Sequence, residues 1–207
     1  MRSLSWFAQR RSLPFAAPLI AAAVLSPPCS AQTPDVCVLG DFEQESWEGL
    51  TPSREQVKMG ESSGKWADLK AHSSVGPATM PRDWSHYDRL LFWLYSEKNN
   101  GQSLTLVCNS DNPADAEGWD YFYYHFRVDW TGWKLLNLRL GPDLQPTRKP
   151  KGWHSLDSFG FHAGGWQNQP LPDTVLYFDD VKLVRDPAAL TLVDRQATCG
   201  DDGSVAV

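Results

Sequence analysis

A surplus of positive charge, closely spaced metal ligands and helical periodicity are all missing from this chain of 207 residues. Acidic residues outnumber basic ones 25 to 19, which argues against nucleic acid or an anionic membrane surface as partner. His72, His86, His125, His154 and His162 are scattered, and no histidine or cysteine spacing resembles a zinc site. The apolar stretch from Phe15 to Leu25 falls well short of the ~20 residues that a membrane-spanning helix needs. Cysteine is scarce, at four in the whole chain, so a disulfide-dense scaffold is excluded and a packed core must carry the fold.

Acidic residues are also absent from residues 1–31, which hold Arg2, Arg10, Arg11, the apolar stretch and a small-residue exit at Ser30 and Ala31. This is the pattern of an export signal cleaved near Ala31. Arg10-Arg11 is a partial match to the twin-arginine route, and the ordinary secretory route fits equally. Pro27 and Pro28 stand where a lipoprotein signal needs small residues before Cys29. The expected location is the periplasm or the cell exterior. Cleavage removes three basic residues and no acidic one, taking the formal charge from −6 to −9. Of the three cysteines left, Cys108 follows Leu104 and Leu106 at period two and reads as a small core residue, so Cys37 to Cys199 is the disulfide to test.

Short apolar runs bounded by Gly, Pro, Asn and Asp recur along the remaining chain, the mark of an all-β antiparallel sandwich. Strands are expected near 36–39, 54–59, 64–70, 89–96, 102–109, 120–128, 133–140, 157–163 and 174–184, in one domain over 36–186. "PDLQPTRKPKGW", from Pro142 to Trp153, reads as an exposed loop. Residues 187–207 read as a polar tail. "DWSHYDRL" and "DWTGWKLL" look alike but are read as aromatic-anchored turns, not as a repeat.

The segment "DYFYYHFRVDW" is the most unusual. Alternate side chains of a strand face opposite ways, so Phe122, Tyr124, Phe126 and Val128 would fill the core while Tyr121, Tyr123, His125 and Arg127 face outward. Burial would contribute on the order of 1.5–3 kcal/mol per large core side chain. The outward set suits a sugar, whose apolar C–H face stacks on rings and whose hydroxyls need directional partners. Arg127 and His125 would also pair with a carboxylate or sulfate on an acidic glycan. The competing reading is that loops cover this face as a second core layer. By the same parity Asn109, with Thr105 and Val107, and His162, with Gly160 and Gly164, face outward, the glycines leaving a ligand room. Trp66 is expected on one face with Asp68, opposite Ala67 and Leu69, as a further ligand candidate on the outward surface. Trp119, Trp153 and Trp166 are ligand candidates in loops, whereas Trp130 and Trp133 bracket a turn as plugs. Trp93 and Tyr95 face away from Leu90, Phe92 and Leu94, as a second aromatic patch or beneath the N-terminal segment.

"LGDFE" opens the domain and "LYFDDVKL" closes it. Parity puts Asp179 on one face with Tyr177, Val181 and Leu183, and an inward carboxylate needs a cation, an arginine or N–H donors. End strands lying side by side would bring Asp41 or Glu43 near Asp179 or Asp180. Such an oxygen set, completed by carbonyls of "GESSGKW", suits calcium, and the competing reading is a carboxylate capping backbone N–H groups.

"GDFE", "GKW", "WSHYDRLLFWLYS", "VDWTGWK" and "LYFDDVKL", in that order over roughly residues 38–185, resemble the galactose-binding-like jelly-roll domains. They are similar in particular to the non-catalytic carbohydrate-binding modules of bacterial polysaccharide-degrading enzymes. The resemblance implies an eight- or nine-stranded sandwich, a structural calcium at Asp41, Glu43 and Asp179 or Asp180, and sugar bound on a concave sheet face or on edge loops. The Tyr121 to Arg127 face falls on a strand that such modules use. The function expected is therefore a monomeric glycan-binding module, with a polysaccharide or oligosaccharide as partner. Two alternatives stand beside it. One is a polysaccharide lyase or glycosidase on the same scaffold, with Tyr123, His125 and Arg127 as acid, base and charge neutraliser. The other is an adhesion domain that binds protein through its Trp-rich loops.

Overall fold

The computed structural model describes residues 35–44, 47–114 and 118–185. The export signal, Cys199 and the polar tail lie outside the described residues.

No helix occurs among these residues, and eleven strands alternate with turns. They are β1 (Val36–Gly40), β2 (Thr51–Ser53), β3 (Ser63–Trp66), β4 (Ser74–Val75), β5 (Arg89–Ser96), β6 (Gln102–Asn109), β7 (Tyr121–Val128), β8 (Gly132–Arg139), β9 (Gln145–Thr147), β10 (Ser158–His162) and β11 (Leu176–Val184). A six-stranded sheet runs β2-β3-β11-β5-β8, with β1 also on β11, and a five-stranded sheet runs β4-β10-β6-β7-β9. Every pairing is antiparallel.

Between the sheets the inward side chains interdigitate: Phe92 and Leu94 from β5, Leu104, Leu106 and Cys108 from β6, and Phe178 from β11. Phe161 of β10 is the hub, with ring centroids 4.6 Å from Phe178 and 4.9 Å from Phe92. Cys108 is fully buried and desolvation pushes its thiol far above the ordinary range, as expected of a small core residue.

Four departures from the expected strands have local causes. Residues 54–59 form a bend, because the backbone N–H groups of Lys58 and Met59 are turned onto the Asp179 carboxylate. The strand expected over 64–70 stops at Trp66, where Asp68 Oδ1 accepts the Ala71 N–H at 2.8 Å and closes a turn. The proline-rich segment contains β9, and Leu144 beside it is fully buried. Pro146 opposes Phe122 there on an edge strand, the position where a missing N–H costs no ladder bond. The count exceeds eight or nine because β2, β4 and β9 are only two or three residues long.

The parity of β11 also differs from expectation. Its register against β5 shifts between Asp179 and Lys182, and Asp180 has a φ of 46°. A bulge of this kind moves later side chains to the other face. Leu176 and Phe178 before it, and Val181 and Leu183 after it, all reach the core, so Asp179 shares the outer face with Tyr177. Both are nevertheless fully buried. Trp93, on the same face of β5, is covered in turn by Lys58, whose Nζ lies 4.5 Å from its ring centre.

Two expected ligand residues pack into the core or against it instead. Trp66 is completely buried, 6.2 Å from Phe178, with its indole N–H given to the His72 carbonyl at 2.8 Å. It belongs to the six-stranded sheet, so it cannot join a face built on β7. Trp153 stacks on Phe122 at 4.2 Å and lies parallel to Trp84 at 6.4 Å, plugging the end of the sandwich. Trp119, by contrast, is 70% exposed. Urea unfolding should separate the two kinds: Trp153→Ala is expected to lose about 3 kcal/mol, and Trp119→Ala to stay within about 0.5 kcal/mol of the parent.

Candidate functional site

The alternation expected for β7 holds. Phe122 and Val128 are buried, Tyr121 and Tyr123 are half-buried, and His125 and Arg127 are exposed on the opposite face. Tyr124 and Phe126 point inward but are only half-buried, since β9 pairs β7 no further than Tyr123.

β6, β7 and β10 share one sheet, so their outward residues form transverse rows. Tyr121 stands opposite Asn109, which stands opposite Ser158. Tyr123, Val107 and Gly160 form the next row, and His125, Thr105 and His162 the third. Along β7 the rings make an edge-to-face ladder, Tyr121 to Tyr123 at 6.0 Å and Tyr123 to His125 at 5.0 Å. Asn109 donates to the Ser158 hydroxyl at 2.7 Å. The glycines do not leave a ligand room as expected. A Cβ on Gly160 would lie 2.9 Å from the Val75 carbonyl oxygen, and one on Gly164 would lie 3.2 Å from Ser73. Their bare sides admit the β4 segment.

Residues 163–169 fold across the face. Trp166 gives its indole N–H to the Tyr121 hydroxyl at 2.9 Å and tilts against His162 at 4.8 Å. Trp166 and Gln167 both have left-handed backbones, with φ of 47° and 66°, a conformation that costs such residues of order 1 kcal/mol each. The turn is held by the Asn168 N–H on the Gly165 carbonyl at 2.7 Å and by Asn168 Nδ2 on the Thr105 hydroxyl at 2.7 Å.

Thr105 fixes the chemistry of His125. Its fully buried hydroxyl already accepts from Asn168, and its remaining neighbour is His125 Nδ1 at 2.7 Å. A buried hydroxyl hydrogen needs an acceptor, so Thr105 donates to Nδ1, and the neutral imidazole carries its own hydrogen on Nε2. Burial pushes the pKa of His162 below the ordinary histidine value.

Two grooves result. One, of about 550 Å³, is lined by Ser103, His125, Arg127, Trp166, Gln167 and Asn168. The other, of about 490 Å³, includes His72, Asn109, Ser158, His162 and, at its rim, Glu48. Of the expected ligand residues, Tyr121, Tyr123, His125, Arg127, Asn109, His162 and Trp166 therefore converge on one face. Trp119 stands apart beside Arg148, which donates to its carbonyl. Gln167 and Asn168 were not expected, because loop residues follow no periodicity. Ser103 was recoverable from the parity of β6.

The four carboxylates expected to hold calcium lie where β1 meets β11, with Gly40 opposite Val181. Glu43 Oε1 accepts the N–H groups of Glu61 at 2.8 Å and Ser62 at 3.1 Å, so "GESSGKW" faces it with donors rather than carbonyls. Asp41 accepts the Glu43 N–H, and Asp180 pairs with Lys182 at 2.6 Å. Asp179 Oδ2 accepts the Lys58 and Met59 N–H groups at 2.7 and 3.0 Å, whereas its Oδ1 is buried without a hydrogen-bond partner among the described residues. Desolvation pushes this carboxyl up to about 6. Among the described residues, no three His, Cys, Asp or Glu side chains gather closely enough to hold a metal by themselves. Among the described residues, Asp179 Oδ1 is the one buried carboxylate oxygen without a hydrogen-bond partner.

No family model matches the sequence, and no curated protein matches it. Solved structures do match. The family 11 carbohydrate-binding module of the cellulosomal cellulase Lic26A-Cel5E of Clostridium thermocellum is 15% identical, with a TM-score of 0.50 over 75% of this chain and 97% of that one. A family 11 module from Clostridium thermocellum in complex with a β-1,3-1,4-mixed-linked tetrasaccharide is 16% identical, with a TM-score of 0.49 over 72% and 95% of the two chains. A family 30 carbohydrate-binding module is 14% identical, with a TM-score of 0.49 over 66% and 83%. The two antiparallel sheets of this chain form the jelly-roll β-sandwich that carbohydrate-binding modules adopt.

Proposed function

We propose that this chain is an exported, non-catalytic glycan-binding module stabilised by a structural calcium ion. The observation that carries the reading is the face of β7, where Tyr121 and Tyr123 offer ring surface beside the exposed His125 and Arg127. A surface of this composition matches a saccharide, because stacking takes its C–H faces while fixed donors and acceptors take its hydroxyls. The likeness of fold to a carbohydrate-binding module supports the same reading. Glycoside hydrolysis takes two carboxyl groups flanking the bond, and Glu48 is the one carboxylate that lines either groove among the described residues. Export is supported by the composition of residues 1–31.

A Tyr123→Ala, Arg127→Ala double variant should bind polysaccharide about tenfold or more weakly while keeping its circular dichroism and melting temperature. Affinity electrophoresis across a polysaccharide panel checks this. Unchanged binding to every glycan that the parent binds would remove the site assignment.

Calcium is supported by Asp179, whose buried Oδ1 lacks a hydrogen-bond partner among the described residues and would gain one. The bound ion would supply local charge balance and tie the 54–62 segment to β11. Because burial raises this carboxyl to about 6 from an ordinary 3.8, its ionisation opposes folding without a cation. The stability that its protonated form contributes is full below about pH 4 and lost as pH rises through about 6. In chelator at pH 7.5, Asp179→Asn should therefore melt above the parent, and at pH 4 the two should converge. Calcium should raise the parent's melting temperature and leave Asp179→Asn unmoved. A parent whose melting curve ignores both calcium and chelator would refute the ion.

A further inference from the structure

We propose that the groove at the His125–Arg127 end of the face takes an anionic group of an acidic polysaccharide, a uronate carboxylate or a sulfate ester. This inference rests on the glycan-binding reading and names the class of glycan.

The groove presents charge-compatible donors and no charged acceptor. Its lining of Ser103, Leu104, His125, Phe126, Arg127, Trp166, Gln167 and Asn168 contains no Asp or Glu. Arg127 is exposed and lies over Gly101, where an added Cβ would meet its Nη2 at 2.5 Å. Among the described residues no carboxylate lies within ion-pair distance of it. The nearest acidic residue in sequence, Asp129, follows the end of β7 and lies 3.9 Å from Lys134. His125 adds a second donor, because the Asn168–Thr105–His125 chain occupies Nδ1 and leaves the Nε2 hydrogen for a ligand.

A neutral sugar hydroxyl both gives and takes a hydrogen bond, and Ser103, Gln167 and Asn168 offer it only neutral acceptors. A carboxylate or sulfate only accepts, which is what an unpaired guanidinium and an Nε2–H answer. The guanidinium suits the planar two-oxygen edge of a carboxylate or two oxygens of a sulfate. The formal charge, −6 for the full chain and −9 after the expected cleavage, opposes polyanions at long range, but exposed charges more than about 8 Å apart are screened at physiological salt. The local donors decide the contact.

The full chain should be assayed by affinity electrophoresis and calorimetry on polygalacturonate, on the same backbone as its methyl ester, on a sulfated galactan and on a neutral mixed-linkage β-glucan. Binding to at least one polyanion is expected to exceed that to the neutral glucan about tenfold or more, and to weaken as sodium chloride is raised. Preference for polygalacturonate over its methyl ester identifies a carboxylate, and retention by the sulfated galactan alone identifies a sulfate. Arg127→Gln should abolish the preference, and Arg127→Lys should keep part of it, at an unchanged melting temperature. Equal or tighter binding to the neutral glucan would overturn the anionic specificity and leave the glycan-binding reading standing. A preference that survives Arg127→Gln would overturn the assignment to this groove. Failure to bind any of the four polymers would overturn both.

Discussion

The handover on β11 organises the whole sandwich. Along one edge this strand pairs first with β3, through Leu176, Tyr177 and Phe178, and then with β1, from Val181 to Val184, while β5 runs along the other edge. Two short strands must share one side of a long one, and the register break from Asp179 to Lys182 lies where one gives way to the other. A continuous β strand would carry Val181 and Leu183 to the outer face once Leu176 and Phe178 were committed to the core. The left-handed Asp180 prevents that. The cost is a carboxylate left under the 54–59 bend, held by two backbone N–H groups. Asp179 is thus a consequence of joining β1, the first strand among the described residues, to β11, the last.

The face of β7 follows from the opposite circumstance, an unbroken strand whose period-two pattern is kept for eight residues. Regular pairing with β6 sets the Tyr, Tyr, His and Arg side chains in register with Asn109, Val107, Thr105 and Ser103. Regularity alone would give a flat surface. The strained turn at Trp166 and Gln167 adds relief, dividing the face into two grooves of different chemistry. One holds donors without a carboxylate, and the other carries a glutamate and a half-buried imidazole whose pKa is lowered by burial.

Much of the fold was legible because the long strands obey simple rules. The positions of β5, β6, β7, β8 and β10, and the parity of β7, follow from alternation and from turn residues between apolar runs. The errors concentrate where tertiary contacts overrule local pattern. Trp66 reads as outward only if its strand is placed without knowing that β3 packs against β11. Trp153 sits in a polar, proline-rich segment, and its stacking on Phe122 depends on a partner 31 residues away in the chain. The bulge at Asp180 has no local signal, since Asp-Asp in a strand gives no warning of a left-handed backbone. In the candidate site, the outward residues of β7 follow from alternation, whereas Ser103 on β6 was not singled out. The loop residues Gln167 and Asn168 were not either, because their positions are set by hydrogen bonds to Thr105 and Gly165.

The short reach of β9 has a consequence of its own. It pairs β7 only from Tyr121 to Tyr123, so from Tyr124 onward the main-chain amides and carbonyls on that side have no neighbouring strand among the described residues. Such a rim is where a second polypeptide would add itself to the sheet and start a stack. Arg127, Asp129 and Lys134 border this stretch, and their hydration discourages foreign strands from settling there. The guanidinium that we assign to ligand capture would then also keep concentrated solutions clear.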